Sequence, residues 1–383
     1  MRAIYLDHAA TTFVLPEVRE AMARHLEERV GNPSSIHEFG RRAKAAVEDA
    51  REAVAALIGA TAAEVVFTSG GTEADNAALV GAVLALRDRG RHVVTTAIEH
   101  HAVLYTARHL EEWGFEVTYV HPGPRGVVGA EDVARALRPD TVLVSVMWVN
   151  NETGAVQPVR DIGALAKERG ILFHTDAVQA VPWLPVEVDA VGCDLLSVSA
   201  HKLHGPQGIG ALYVRKGTPW VPLLYGGTQE RGRRAGTENV PGIVGFGAAA
   251  AWLKARRTAG LDHAARLREI FLGAVREEFG QVLVHSPEDG IPAILNVAFP
   301  GVSAETLLMN LDLHGIAASS GSACTSGSLE PSHVLQAMGL GDAVVRSSLR
   351  FSFSIQTTEE EVREAGRAVG RIARRLVRPG GHG

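Results

Sequence analysis

The chain has 383 residues, enough for two domains or for one large α/β domain with a smaller companion. Hydrophobic residues make up 46% and charged residues 21%, an ordinary globular balance that supports a sizeable core. A net charge of -5 argues against a nucleic-acid surface, and the longest near-apolar run, Gly242–Leu253, is too short to span a bilayer. The opening MRAIYLDHAATTFVL lacks the apolar stretch of a signal peptide, and Cys193 and Cys324 are the only cysteines. The expectation is a protein of the reducing cytoplasm, with no disulfide framework, membrane partner or direct nucleic-acid partner.

Along the chain, short apolar runs alternate with amphipathic stretches. The first strand-like run, EVVFTS (Glu64–Ser69), passes through TSGGTEADN (Thr68–Asn76) into a helical pattern over Glu73–Arg87. Glycines at a helix start let the backbone approach an anion, so this turn suits a phosphate, although an ordinary helix cap reads the same way. No Gly-Lys-Ser/Thr follows, which excludes a nucleotide P-loop. HVVTTA (His92–Ala97) leads to His100 and His101 and then to a helix over Ala102–Trp113. Adjacent histidines do not share a helix face as an i,i+4 metal pair would, and no metal site is expected. A flat imidazole there could stack on an aromatic cofactor, or simply be a half-buried histidine.

TVLVSVM (Thr141–Met147) is followed by Asn150, Asn151 and Glu152, a place where amides bind substrate or cap a turn, and then by a helical pattern over Val159–Arg169. ILFHTDA (Ile171–Ala177) ends at Asp176, with Gln179 three residues on. An acid there caps a helix or holds a cofactor's ring nitrogen protonated. DLLSVSA (Asp194–Ala200) runs into SVSAHKLHGPQG, with Lys202 flanked by Ser199 and His201, before GIGALYV (Gly208–Val214). The other four lysines lie in charged helical or turn contexts, so Lys202 is the one suited to a Schiff base, against the alternative of a surface lysine. Strands alternating with helices predict a mainly parallel sheet with helices on both faces and ligands at the strands' carboxyl ends.

A long helical stretch spans about Val240 to Phe279. After it come a strand ILNVAF (Ile294–Phe299), a helix Ala304–Leu313, and SSGSACTSGSLEP (Ser319–Pro331), which carries Cys324. SSLRFSF (Ser347–Phe353) then places Arg350 in an apolar run, where a guanidinium needs a carboxylate or phosphate partner. The last helix spans Glu359–Leu376, and Cys193 reads as a small core residue. A smaller α+β C-terminal domain is expected, with a large domain over 16–250 and a small one formed by 1–15 and 251–383 that carries the cysteine loop 319–331. A phosphate turn, an acid for a pyridinium nitrogen, a stacking ring and a strand-end lysine are together what pyridoxal 5'-phosphate requires.

These segments resemble the cysteine desulfurases, pyridoxal-phosphate enzymes of fold type I grouped with the class V aminotransferases. YLDHAATT, GNPSSIHEFG, TSGGTEADN, EHHAVL, NNETG, TDAVQ, SAHKLHGPQGIG, RRAGTENV and SSGSACTSGSLEPS carry the likeness, from Tyr5 to Ser354. The long cysteine segment is similar to that of the NifS/IscS-like subgroup. The resemblance implies that Lys202 carries the cofactor and takes the substrate's Cα proton, that His100 stacks on the ring, that Asp176 pairs with the ring nitrogen and Gln179 with the phenolic oxygen. Gly71, Thr72, Ser199 and His201 would hold the phosphate, and Thr237 would reach the phosphate of the other subunit of a homodimer. Asn151 and Arg350 would hold the carboxylate of L-cysteine, with Asn32 nearby. Cys324 would take the substrate's sulfur as a persulfide, with His100 as proton partner, leave L-alanine, and contact an iron–sulfur centre only during transfer. A sulfur-acceptor protein serving iron–sulfur assembly, tRNA thiolation or another thio-cofactor pathway is the implied partner. Alternatives are a selenocysteine lyase or cysteine/cystine C–S lyase of the same fold, or a non-catalytic sulfur carrier. His8 stands where many relatives have Asn, and the short tail RRLVRPGGHG weakens the expectation of a docked iron–sulfur scaffold.

Overall fold

The structure is a computed structural model and describes residues 3–27, 30–321 and 331–377. Twelve strands occur among the described residues: β1 (Ile4–Tyr5), β2 (Val65–Thr68), β3 (His92–Thr96), β4 (Glu116–Val120), β5 (Thr141–Ser145), β6 (Leu172–Asp176), β7 (Leu195–Ser199), β8 (Gly210–Val214), β9 (Leu283–Val284), β10 (Ile294–Ala298), β11 (Ile316–Ala317) and β12 (Ser348–Ser352). Seven form the central sheet in the order β2-β8-β7-β6-β5-β3-β4. Only β8 runs against its neighbours, pairing antiparallel with both β2 and β7. The other pairs are parallel, as expected where helical crossovers join buried, β-branched strands.

Both faces of this sheet are covered. The helix Gly71–Leu86 buries Ala74, Ala78, Leu79 and Val83 against one face. Being apolar on every side, it also packs against the helix His101–Glu112. The other face is covered by a larger core to which Val54, Phe173, Val198 and Phe246 contribute. Beside the edge strand β2, β8 passes so near the Gly70 turn that a Cβ on Gly210 would lie 2.7 Å from the Gly70 carbonyl carbon. Gly70 itself has φ +157°, in the range that favours glycine. Sequence spacing thus fixes the turn between β2 and the helix Gly71–Leu86.

A second core gathers Leu267, Phe271, Leu295, Phe299, Phe351, Val362 and Val369. It is built by the antiparallel sheet β12-β10-β9, the helix Ala304–Leu313 and the paired helices Arg257–Phe279 and Glu359–Leu376. Ser303 and Thr358 cap two of these helices by accepting from Thr306 N and Glu361 N, so both start where the sequence predicts. The expected single stretch from 240 to 279 is two helices, Val240–Lys254 and Arg257–Phe279. The first packs on Pro16–Glu27 and Glu38–Ile58, while the second carries Ala264 in the large core and Leu267 in the second.

The N-terminal segment ties the two cores. β1 pairs with β11, Asp7 bridges to Ser352, and Ser352 Oγ accepts from Ala9 N at 2.8 Å. No helix among the described residues is long and apolar enough to cross a membrane.

Candidate active site

A cleft opens at the carboxyl ends of β5, β6 and β7, where the N-terminal segment and β12 close it from above. Gly71, Thr72, His100, Asn151, Asp176, Gln179, Ser199, His201, Lys202 and Arg350 line it, ten residues that the sequence had singled out. Asn32 and Thr237 do not line it: both are exposed, and Asn32 Oδ1 accepts from Ser34 N at 2.9 Å. Cys324, with most of the 319–331 segment, lies outside the described residues. Cys193 is fully buried below Val188 and Arg215, and burial pushes its thiol up to about 12.

Most of these side chains lie at or just beyond the end of a strand, whereas Arg350 projects from within β12. β7 finishes at Ser199, and a single 3-10 turn over Ala200–Lys202 swings the lysine inward. Lys202 Nζ donates to the carbonyls of Ala9 (2.5 Å) and Ala10 (2.7 Å). Gln179 Nε2 donates to the same Ala9 carbonyl at 2.8 Å. Asp176 ends β6, is 6% exposed, and accepts from Val178 N at 2.9 Å. His100 caps the helix His101–Glu112 by accepting from Ala102 N.

Burial pushes the Asp176 carboxyl up to about 6, against the opposing pull of the Val178 N–H and the Lys202 ammonium. Below it, Asp75 is pushed well above the usual carboxylate range by burial and by the charge of Asp176. Asp75 Oδ1 lies 3.6 Å from His174 Nε2, and that imidazole bridges Ser145 and Ser197 at 2.8 and 3.0 Å. Burial, together with the nearby Lys202, His101, His333 and Arg350, holds His100 down at about 4, so its ring is neutral near pH 7. His201 is held at about 4 by burial and Lys202.

These groups match a phosphorylated pyridine aldehyde. Ser199 Oγ is buried without a hydrogen-bond partner and faces the start of the helix Gly71–Leu86, whose first amides and dipole favour a phosphate. This end of the cleft opens into an outer hollow shared by Gly71, Thr72, Ser199 and His201. At the opposite end, Arg350 is 1% exposed and donates to Asp7 Oδ1 (2.8 Å) and the Asn151 carbonyl (2.9 Å). Its Nε is buried without a partner. The carboxylate expected for that guanidinium is Asp7.

Four contributors were not singled out in the sequence. Asp75 stands one helical turn beyond Gly71, so its signal was the i,i+4 spacing within TSGGTEADN. Asp7 had a signal in the charge unpaired within YLDHAATT. Ala9 and Ala10 act through backbone carbonyls, which no side-chain pattern reveals.

The Aminotransferase class-V family matches residues 4–364. The chain is 50% identical over 379 residues to the putative cysteine desulfurase IscS 1 of Bacillus subtilis, covering 98% of this chain and 100% of that protein. It is 46% identical over 376 residues to the cysteine desulfurase IscS of Dictyoglomus turgidum, covering 98% and 95%. Among solved structures, a NifS-like protein superposes with a TM-score of 0.91 at 38% identity, covering 97% of this chain and 99% of the other. SspA in complex with cysteine superposes at 0.82, also 38% identical, over 93% and 100%.

Proposed function

From the premise that the chain belongs to the class-V aminotransferases and, among them, to the cysteine desulfurases, we propose the following division of labour among its residues. The enzyme is pyridoxal-phosphate dependent and mobilises sulfur from L-cysteine. The observation that carries the residue assignment is the convergence of Lys202, Asp176, His100 and the partnerless Ser199 Oγ on one cleft.

Lys202 would hold the cofactor covalently, Asp176 its ring nitrogen, His100 its face and Gln179 its phenolic oxygen. Gly71, Thr72, Ser199 and His201 would hold the phosphate. When bound, pyridoxal phosphate supplies an electrophilic carbon for the substrate's amine and a ring that accepts the electron pair released at Cα. Asn151 and Arg350 would orient the substrate's carboxylate, whereas Asn32 lies outside the cleft. Lys202, once released, moves the Cα proton. His100 would be the proton partner of the thiol. Cys324 as thiolate forms the new S–S bond while the substrate's C–S bond breaks. L-cysteine and one enzyme thiol thus become L-alanine and one enzyme persulfide, with no external oxidant.

Further parts of the reading are a homodimer, a cytoplasmic setting, a sulfur-acceptor protein and a division into a large domain (16–250) and a small one (1–15 and 251–383). The dimer is favoured by the open phosphate end and by exposed Phe13, Ile36, Phe39 and Tyr225, apolar surface that a second copy would cover. Thr237 would then reach the partner's phosphate.

Mass spectrometry after exposure to L-cysteine tests the assignment. The expected result is one added sulfur on Cys324, no added sulfur in Cys324→Ala, and retention of cofactor colour by that variant. Undiminished alanine production by Cys324→Ala would favour the C–S lyase reading instead.

A further inference from the structure

The sequence NNETG folds into a turn that does more than present Asn151. Asn150 Oδ1 accepts from Glu152 N (3.0 Å), Thr153 N (2.9 Å) and Thr153 Oγ1 (3.1 Å), which fixes the backbone at Glu152. The Glu152 side chain is 1% exposed, and a buried carboxylate needs partners. It finds one on the far side of the cysteine segment. Ser332 Oγ donates to Glu152 Oε2 at 2.5 Å while accepting from Leu335 N at 3.2 Å as a helix cap. The near side converges on the same carboxylate: a Cβ on Gly321 would lie 3.2 Å from Oε2 and 3.8 Å from Oε1. Gly321 has φ +144°, so glycine suits both the conformation and the close approach.

Two residues earlier, Ser319 and Arg350 exchange backbone hydrogen bonds of 3.1 and 2.7 Å. The chain entering the cysteine segment is therefore registered on the residue that closes the cleft. Covalent geometry then bounds what the segment can do. Cys324 lies three residues after Gly321, a reach of at most about 11 Å, but seven residues before Pro331, a reach of about 25 Å. The short arm is limiting, so the position of Gly321 decides where the thiol can go.

We propose that Glu152 is a positioning residue for sulfur transfer, holding Ser332 and abutting Gly321 so that both ends of the Cys324 segment are fixed beside Asn151 and Arg350. This rests on Cys324 as the sulfur-accepting thiol. Glu152 acts only through the segment ends and touches neither substrate nor cofactor.

The test is single-turnover kinetics on the holoenzyme with Glu152→Ala, Glu152→Gln and Ser332→Ala. Two quantities are followed: the absorbance change on L-cysteine binding, and the appearance of sulfur on Cys324 by mass spectrometry. The expected result is binding within about twofold of wild type and persulfide formation slowed on the order of tenfold in Glu152→Ala. Glu152→Gln, which still offers an oxygen to Ser332 Oγ, should recover part of that loss, and Ser332→Ala should resemble Glu152→Ala. An unchanged persulfide rate, or a loss of binding that parallels the loss of rate, would overturn the proposal. If Glu152→Ala does not fold, Ser332→Ala carries the same comparison. Wild-type enzyme without sulfur on Cys324 would instead defeat the underlying functional reading, so the two failures are distinct.

Discussion

Glu99 lies behind the histidine that faces the cleft, fully buried, and its carboxylate accepts from Thr96 Oγ1 and Met147 N. Burial outweighs those donors and pushes it from 4.5 up to about 8. A carboxyl with a raised pKa binds its proton more tightly in the folded state. Its contribution to stability is full below about pH 4.5 and is lost as pH climbs through about 8. Glu99→Gln mimics the protonated form and removes that loss. The melting temperature of Glu99→Gln relative to wild type, measured on apoprotein, should therefore rise from pH 5 to pH 9. A difference independent of pH would mean that Glu99 does not titrate in this window. The buried histidines His8 and His174, held at about 3, oppose this on the acid side, since they favour the fold only while neutral.

Among the secondary-structure elements, the helices Arg257–Phe279 and Glu359–Leu376 meet at a close junction. A Cβ on Gly366 would lie 2.8 Å from both the Ala274 Cβ and the Phe271 carbonyl, and one on Gly370 would lie 2.6 Å from the Glu278 Cβ. Gly366→Val should force the pair apart at a cost of about 1–3 kcal/mol, read as a lower urea midpoint. A midpoint equal to wild type would show that the helices separate freely. The same helices show what the sequence could convey. The bounds of Ala304–Leu313 and Glu359–Leu376 were legible because Ser303 and Thr358 cap them through local hydrogen bonds. The break between Lys254 and Arg257 was not, because no glycine or proline marks it. Strand β4 was missed for a related reason: Glu116–Val120 is only partly buried and lies at the sheet edge, so it needs no apolar run. Ten cleft residues were legible from their motifs, whereas the role of the Ala9 and Ala10 carbonyls depends on a fold that brings residue 9 to residue 202.

Over the whole molecule, the open phosphate end and the exposed Thr237 make a complementation experiment decisive. On the proposed dimer, Thr237→Asp would place a negative charge against the phosphate held by the other subunit, and Lys202→Ala would remove the proposed anchoring amine. Each variant alone should be nearly inactive. Mixed after unfolding and refolding together, they should form hybrids with one intact site and recover a fraction of wild-type activity. No recovery would show that each chain builds its site alone.

The N-terminal segment also has a consequence for biosynthesis. Asp7 meets its guanidinium partner Arg350 across 343 residues, and the carbonyls that hold Lys202 follow Asp7 within three positions. At about 5–20 residues per second, a ribosome delivers Arg350 roughly 17–70 s after Asp7. The large sheet can assemble during that interval, but the end of the cleft that Arg350 closes cannot. Asp7 therefore gains its guanidinium partner only once Arg350 has been made, although Ala9, Ala10 and Thr12 can already be held by Gln179, His201 and Lys202.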